Sequence, residues 1–390
     1  MSMQNFDELI NREGTSSYKY DLRKSIFGTD DLYPMWVADT EFRAPGFVLE
    51  RLQQRINHGI LGYTITTDAY YKSIIHWLEK KHNWGVKKSW IKYSPGVVPS
   101  LFASVLAFTN PGEKVIVQTP VYHPFYYAIE QTGRQLVKNP LVLKNGRYEM
   151  DFDDLLSKID SKVKLIFLCS PHNPTGNVWK KNELERFSEI CLANNIIIIS
   201  DEIHADIVYK PNLHIPLASL SDEISANTIT LMAPSKTFNI AGLNSSYIVS
   251  SNKNLLDKIN YFFEGMHIGP NLFAPEATIA AYENGLEWLE QLTCYFMSNI
   301  NTATSFFEAN MGKLNINKPE GTFLLWLDFR KYNLPQKQIN EILIKKAKTG
   351  LSDGTIFGAE GEGFQRMNIG CPASLLKEAL NSIAGAFRSI

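Results

Sequence analysis

Short apolar runs recur through the middle of the chain, and each has the length of a β-strand. They are KVIVQT (114–119), KLIFLCS (164–170), NIIIISDE (195–202), TITLMAPS (228–235) and SYIVSS (246–251). Their hydrophobicity is continuous rather than alternating, which predicts strands that are covered on both faces. Amphipathic stretches of helical length join most of them, and one of these places Leu184, Phe187 and Cys191 on one helical face. The pattern predicts a largely parallel α/β sheet flanked by helices.

The two ends of the chain have a different pattern. Residues 1–48 are rich in aromatic and turn residues, whereas the part after about residue 285 mixes long helical patterns with one strand, GTFLLWLDF (321–329). We therefore expect a large domain over 49–284. A smaller α/β domain would then be built from both termini, 1–48 and 285–390.

Composition and charge restrict the class of partner. Of the 390 residues 44% are hydrophobic, and Lys plus Arg total 39 against 40 Asp plus Glu, without a long run of one sign. This balance predicts no surface for nucleic acid, and no apolar run approaches the roughly 20 residues that span a bilayer. The first residues lack the apolar stretch of a signal peptide, and the four scattered cysteines indicate buried thiols rather than disulfides or a metal cluster. We expect a cytoplasmic protein that binds small molecules and no nucleic acid, membrane or metal.

One lysine stands in an unusual place, directly after an apolar strand. Lys236 follows Pro234 and Ser235 and precedes Thr237 and Phe238. Desolvation lowers the pKa of a lysine from about 10.4, which makes the neutral amine available as a nucleophile and base. A lone lysine here is most often a surface residue, so its neighbours decide between the two interpretations.

Polar residues also end two other predicted strands. Asp201 and Glu202 follow the Ile-rich run, at the edge of a parallel sheet where ligands collect. Asp201 could pair with the nitrogen of a pyridine ring, or could be an N-cap or a solvated strand end. His204 could contact the ligand or be a core histidine bonded to backbone. The turn SPHNPTG presents the amide of Asn173, although it could also be only a loop between strand and helix.

A candidate anion site lies near residue 96. Gly96 precedes Val97, Val98 and Pro99 and an apolar helical run. Free backbone N–H groups at the start of a helix bind phosphate well. One such glycine does not identify a site by itself.

Taken in order, these segments resemble fold-type I enzymes that depend on pyridoxal 5′-phosphate (PLP). Within this aminotransferase superfamily they are most similar to the MalY/PatB-like cystathionine β-lyases, or C-S lyases. The resemblance is carried by MWVAD (35–39), LGY (61–63), SPGVVPSL (94–101), PVYHPF (120–125), SPHNPTG (170–176), DEIHADIVY (201–209), APSKTFNIAGL (233–243), EGTFLLWLDF (320–329) and RMNIGCP (366–372). It implies a large domain with a mostly parallel seven-stranded sheet sandwiched by helices, plus a smaller α/β domain.

The resemblance also assigns residues to the cofactor, PLP. Lys236 would be the Schiff-base lysine, and Asp201 would pair with the pyridine nitrogen. The other expected contacts are Asn173 and His204 at the phenolic oxygen, Tyr122 over the pyridine face, and the Val97 and Val98 amides with the Ser235 hydroxyl at the phosphate. In the wider aminotransferase group a tyrosine more often stands at the His204 position. Tyr63 matches a tyrosine that reaches the phosphate of a neighbouring subunit, which implies a homodimer with a shared active site.

For the substrate, the resemblance assigns Arg366 to the α-carboxylate. A guanidinium suits this role because it presents two parallel donors to a carboxylate. Further expected substrate contacts are Asn173, Ala38 and Tyr63.

The chain departs from the family pattern at a few positions. Thr40 and Glu41 stand where Met and Asp are usual, near the expected substrate entrance, and Gln365 replaces an apolar residue. Asn244 stands where many aminotransferases have an arginine. Phosphate binding would therefore depend more on backbone amides and hydroxyls.

The implied reaction is α,β-elimination by a C-S β-lyase, with Lys236, Asp201 and Tyr122 as the catalytic residues. It would convert cystathionine or related cysteine S-conjugates to a thiol, pyruvate and ammonia. The same residues also support transamination of an amino acid. A PLP-binding regulator is a further alternative, but residues 1–30 are too short and too mixed in charge for a DNA-binding helix-turn-helix segment.

Overall fold

The computed structural model describes residues 4–388 and residue 390. Its helices are α1 (Tyr18–Asp21), α2 (Arg23–Phe27), α3 (Gly46–Asn57), α4 (Asp68–His82), α5 (Val97–Phe108), α6 (Pro124–Glu130), α7 (Phe152–Lys158), α8 (Lys181–Ala193), α9 (Asp222–Ala226), α10 (Lys253–Gly265), α11 (Phe273–Asn310), α12 (Gln336–Lys345) and α13 (Ala373–Phe387). Its strands are β1 (Tyr33–Pro34), β2 (Ile91–Ser94), β3 (Lys114–Thr119), β4 (Gln135–Pro140), β5 (Val142–Lys144), β6 (Arg147–Glu149), β7 (Val163–Cys169), β8 (Ile197–Asp201), β9 (Thr228–Met232), β10 (Ser246–Val249), β11 (Asn315–Asn317), β12 (Leu324–Asp328), β13 (Thr349–Gly350), β14 (Ser352–Asp353) and β15 (Phe364–Asn368).

The central sheet has seven strands in the order β2-β10-β9-β8-β7-β3-β4. Strand β10 is antiparallel to both of its neighbours, and the other neighbouring pairs are parallel. The five apolar runs of the sequence form β3, β7, β8, β9 and β10. The predicted fold class, a mostly parallel seven-stranded sheet with helices around it, is therefore confirmed.

Both faces of this sheet are covered, which explains the continuous hydrophobicity of its strands. In β7, Leu165 and Phe167 pack in a cluster with apolar residues of α5, α6 and α10. The alternate residues Ile166 and Leu168 pack in a second cluster with α7 and α8. Successive side chains of a strand point to opposite faces, so a strand buried on both faces has no polar positions to alternate with.

A second sheet has the strand order β11-β12-β15-β14. The sequence pattern predicts a single strand in this part of the chain, and that prediction is wrong. Two of the missed strands are short and polar, β11 (NIN) and β14 (SD), and the third, β15 (FQRMN), has three polar residues among its five. Their backbone pairing, rather than an apolar pattern, makes them strands, so periodicity could not find them.

Helix α11 is 38 residues long and crosses residue 284, where the larger domain was expected to end. The division into two domains stays a prediction.

Cys294 on helix α11 is exposed, which corrects the expectation that all four cysteines are buried. Even at this length α11 does not combine the extent and hydropathy needed to span a membrane, nor does any other helix of the described residues.

Gly285 on α11 allows Phe238 to pack against the helix backbone. A Cβ at this position would lie 2.4 Å from Phe238 ring atoms. We expect Gly285→Ala to lower the free energy of unfolding by about 1–3 kcal/mol, because the ring is fully buried and has nowhere to move. Urea unfolding measures this. The matched control is Gly385→Ala on α13, where a Cβ meets nothing within 4 Å and where alanine should stabilise the helix by up to about 1 kcal/mol. A stability loss as large at Gly385 as at Gly285 would contradict this explanation.

Candidate active site

A cavity of about 820 Å³ lies at the carboxyl ends of β7, β8 and β9, beside the start of α5. Open α/β sheets bind their ligands at this edge. The predicted site residues that line it are Ala38, Val97, Val98, Tyr122, Asn173, Asp201, His204, Ser235, Lys236 and Arg366. The structure thus brings all but one of them together, while their individual roles stay predictions.

Lys236 lies in the loop after β9. Its Nζ donates to the Ala38 carbonyl oxygen at 2.8 Å. Burial lowers the pKa of Lys236 to about 8; the charges of Asp39 and Asp201 oppose this shift and that of Arg366 adds to it. A far larger fraction of this amine is neutral near pH 7 than of an ordinary lysine, which suits it for attack on a carbonyl group.

Asp201 is the last residue of β8 and is 4% exposed. One carboxylate oxygen, Oδ1, accepts a hydrogen bond from the Ile203 N–H at 3.1 Å. Burial raises the pKa of Asp201 to about 7, against the opposing effect of the Lys236 charge. It forms no ion pair with any side chain in the described part of the chain. A buried acid at a cavity wall without a cationic partner fits a ligand that supplies the positive charge.

His204 is buried, and its Nδ1 has no hydrogen-bond partner within the described residues. Burial, reinforced by the charges of Lys236 and Arg366, lowers the pKa of His204 to about 3, so the ring is neutral near pH 7. Unpaired buried polar atoms are uncommon in native proteins. A ligand atom in the cavity would give this nitrogen a partner.

Arg366 lies on β15 and is 5% exposed. Its Nη1 donates to the Asn173 Oδ1 at 3.0 Å, and its Nη2 donates to the Trp36 carbonyl oxygen at 2.7 Å and the Ser352 Oγ at 3.2 Å. Its Nε has no partner within the described residues. Burial lowers the pKa of Arg366 to about 10, yet the group stays protonated near pH 7. A buried guanidinium held by neutral groups alone leaves its charge for a ligand carboxylate.

The start of α5 forms the anion end of the cavity. Gly96 is the N-cap, and Val97 and Val98 are the first helical residues. The first N–H groups of a helix have no carbonyl partner within it, and they carry the positive end of the helix dipole. Ser235 and Asn244 line the same cavity, so a hydroxyl and an amide accompany these backbone donors.

Tyr122 precedes α6, and its N–H donates to the Asn173 carbonyl oxygen at 3.1 Å. Burial raises the pKa of Tyr122, so it stays neutral. The next residue, His123, also lines the cavity, and burial lowers its pKa to about 4. No role was predicted for this histidine, although its place beside Tyr122 in the PVYHPF segment was a usable signal.

Two further residues that hold Arg366 were missed. Trp36 contributes a backbone carbonyl, which any residue type would supply, so its side chain gave no signal. Ser352 reaches Arg366 only because β14 pairs with β15, with Ser352 opposite Arg366 in the register. A serine in a two-residue strand has no local pattern that reveals this contact.

The departures from the family pattern fall in different places. Glu41 is buried and pairs with the buried Lys19 at 2.5 Å, and neither Thr40 nor Glu41 is among the residues that line the cavity. Gln365 does line the cavity, and its Nε2 donates to the Asn340 Oδ1 at 2.6 Å. Gln365 and Asn244 are therefore the departures that change the cavity surface directly.

Tyr63 is the one predicted site residue outside the cavity. It lies between α3 and α4 with its side chain fully exposed. Ile60, Leu61 and Ile65 beside it are also exposed, at 66%, 67% and 74%. This position gives Tyr63 no contact with the cavity of its own chain.

A seven-stranded, mostly parallel sheet with a lysine, a buried acid and a buried arginine at one cavity is typical of an enzyme, and comparison with known sequences identifies the family. The sequence matches the family of class I and II aminotransferases over residues 39–383, and the chain belongs to this family. The cystathionine β-lyase PatB of Bacillus subtilis (strain 168) is 42% identical over 384 residues, covering 98% of this chain and 99% of PatB. The protein MalY of Escherichia coli (strain K12) is 32% identical over 394 residues, covering 100% of both.

Among solved structures, the PLP-bound C-S lyase from Staphylococcus hominis has a TM-score of 0.92 and 34% identity, covering 98% of each chain. The similarities confirm the predicted resemblance to the C-S lyase branch. Together with the observed sheet they confirm the fold of a fold-type I PLP-dependent transferase.

Proposed function

We propose that this chain is a PLP-dependent C-S β-lyase that acts on cystathionine or related cysteine S-conjugates. The observation that carries the proposal is that Lys236, Asp201 and Arg366 line one cavity, where loss of contact with water shifts the pKa of each. The names of its relatives support the reaction: PatB is a cystathionine β-lyase and the similar Staphylococcus hominis enzyme is a C-S lyase.

The residues of the cavity fit PLP. His204 Nδ1 is a buried atom without a partner within the described residues, and Asp201 is a buried acid without an ion-pair partner there. These two groups, with Tyr122 and the Asn173 amide, would hold the ring. The amides of α5 and the Ser235 hydroxyl would hold the phosphate. Lys236 would hold the aldehyde carbon.

Bound PLP would supply an aldehyde that joins to amino groups and a pyridine ring that accepts electrons. The Lys236 Nζ would take the proton from the substrate Cα, as its lowered pKa favours. The Asp201 carboxylate would hold a proton at the ring nitrogen. Arg366, oriented by Asn173, would bind the substrate carboxylate and present the Cα–H bond to the lysine.

The atoms balance as an elimination followed by hydrolysis. The Cα–H and Cβ–S bonds break, a Cα=Cβ bond forms, and the sulfur leaves with the electron pair of its bond and takes up a proton. The product tautomerises and reacts with water. One cysteine S-conjugate and one water therefore give one thiol, one pyruvate and one ammonium ion.

The test is a pyruvate assay on the purified PLP-loaded protein with L-cystathionine and no added keto acid. A lyase should release pyruvate and thiol in equal amounts over many turnovers. The aminotransferase alternative, favoured by the family's description, would stop after one half-reaction and resume only when a keto acid is added. Pyruvate formation limited to one equivalent or less would reject the lyase proposal.

We expect Arg366→Ala to raise KM for L-cystathionine by about tenfold to a hundredfold, since hydrogen bonds to charged groups contribute about 1.5–3 kcal/mol. Steady-state pyruvate kinetics measures the change. Arg330→Ala is the matched control. This arginine pairs with Asp328, the last residue of β12, and its side chain is 54% exposed. An unchanged KM in Arg366→Ala would remove this residue from the substrate site.

We also propose a homodimer in which Tyr63 reaches the phosphate end of the neighbouring subunit's cavity. The exposed apolar segment around it supports this, because such patches mark interfaces. Sedimentation should give twice the mass of the chain, and Tyr63→Phe should weaken PLP binding without dissociating the dimer. A monomer with full activity would reject the shared site.

The cytoplasmic location stays a prediction, which cell fractionation would test.

A further inference from the structure

One buried carboxylate holds the loop that carries Lys236. The Asp206 Oδ1 accepts hydrogen bonds from the Trp77 Nε1 at 3.0 Å and the His82 Nε2 at 2.9 Å. The Asp206 Oδ2 accepts one from the Thr237 hydroxyl at 2.7 Å. Trp77 and His82 belong to α4, whereas Thr237 directly follows Lys236. Asp206 therefore joins a helix of the core to the lysine loop.

The charge on Asp206 strengthens these contacts. Burial acts to raise its pKa, but the hydrogen bond from His82 and the one from Thr237 act against it and the pKa ends below its ordinary value. The group is thus an ionised carboxylate near pH 7. Hydrogen bonds to an ionised acceptor are roughly twice as strong as neutral ones. The carboxylate is 5% exposed, so a lost donor would not be replaced readily by bulk water.

Further contacts hold the two residues that follow Lys236. The Thr237 carbonyl oxygen accepts a hydrogen bond from the Trp288 Nε1 at 3.0 Å. Phe238 packs edge-on against Trp77, with ring centroids 5.7 Å apart. Residues 237 and 238 are therefore anchored in the core, while Lys236 lines the cavity.

Asp206 also belongs to the loop that follows β8, five residues after Asp201. One side chain thus connects the loop of Asp201 with the loop of Lys236. We infer that Asp206 is a positioning residue, which fixes Lys236 relative to Asp201 through the Thr237 hydroxyl. The inference rests on the proposed function, because it concerns how the chain presents the lysine to PLP.

The test removes the Thr237 hydroxyl without changing the side chain's shape. Thr237→Val deletes the donor, and Thr237→Ser keeps it. Thr228→Val is the matched control, since Thr228 is fully buried at the other end of β9 and its hydroxyl donates to the Ile224 carbonyl oxygen at 2.7 Å. Two quantities are measured on each PLP-loaded full-length variant: the rate of PLP loss during dialysis without substrate, and kcat and KM for L-cystathionine.

We expect Thr237→Val to lose PLP about tenfold faster and to lower kcat by about tenfold or more, because a small misplacement of a reacting group costs up to about 10²-fold. KM should change less than about threefold, since the substrate carboxylate contact is intact. Thr237→Ser and Thr228→Val should both resemble the wild type, although Thr228→Val should lower Tm as much as Thr237→Val.

Wild-type PLP retention and kcat in Thr237→Val would overturn the inference, as would a Thr237→Ser variant that is equally impaired. If Thr237→Val yields no folded protein, Asp206→Asn, which keeps the side chain's size and one acceptor oxygen, carries the same expectation and the same power to refute. A wild-type chain that binds no PLP would instead overturn the proposed function and this inference with it. The two failures are therefore distinguishable.

Discussion

Replacing Lys236 with alanine should remove turnover and the visible absorbance of bound PLP together. The structure places this amine at the cavity wall and lowers its pKa to about 8. Lys236 is proposed both to hold the cofactor and to move the Cα proton, so no second group replaces it. We expect kcat for pyruvate formation to fall by roughly 10⁴-fold, at the upper end of what one acid–base group contributes. Absorbance spectra and the pyruvate assay measure the two losses.

Two comparisons separate lost chemistry from lost folding in this variant. Lys253→Ala removes a lysine that is 82% exposed and pairs with Asp257 at the surface, so kcat should stay within about twofold. Added methylamine should restore part of the turnover of Lys236→Ala, because a small amine can enter the vacated space and act as the base. Activity above a tenth of the wild-type value without added amine would show that another group performs the chemistry.

A strand of this fold could be predicted where a local run of apolar residues marks it, and could not be predicted where it forms only through backbone pairing. The strands of the central sheet are covered on both faces, so each appears in the sequence as an uninterrupted apolar run, as β7 does with Leu165 through Leu168. Strands β11 and β14 are strands because their backbones pair with β12 and β15. No local pattern of apolar residues marks them.

The residues of the candidate site also fall into two groups, those marked by the local sequence and those brought together only by the tertiary fold. Lys236, Asp201 and Asn173 follow apolar strands in segments with distinctive composition, so their positions could be predicted and the cavity contains them. Contacts that depend on the tertiary fold could not be predicted. Ser352 meets Arg366 across a strand pair, and Asp206 meets Thr237 across two loops. Such pairs combine residue types that are common everywhere, and only the folded chain selects the partners.

The second large effect is expected at Asp201. Asp201→Asn keeps the size of the side chain and an oxygen that can accept the Ile203 N–H. It removes the negative charge that would keep a proton at the ring nitrogen of PLP, and with it the ring's capacity to accept electrons. We expect kcat to fall by about 10²–10³-fold, as when a preorganised electrostatic contact is removed from a buried site. KM should change little, since Arg366 still binds the substrate carboxylate.

Glu183→Gln is the matched control for this loss of a buried carboxylate. Glu183 is 9% exposed and accepts two hydrogen bonds from Arg147, both at 2.8 Å, and neither residue is among those that line the cavity. Its loss should lower Tm and leave kcat near the wild-type value, because the pair stabilises the fold without contacting the site. If instead Asp201→Asn only lowered Tm and kept kcat, Asp201 would be a structural carboxylate like Glu183. The charge required at the ring nitrogen would then have to come from another group.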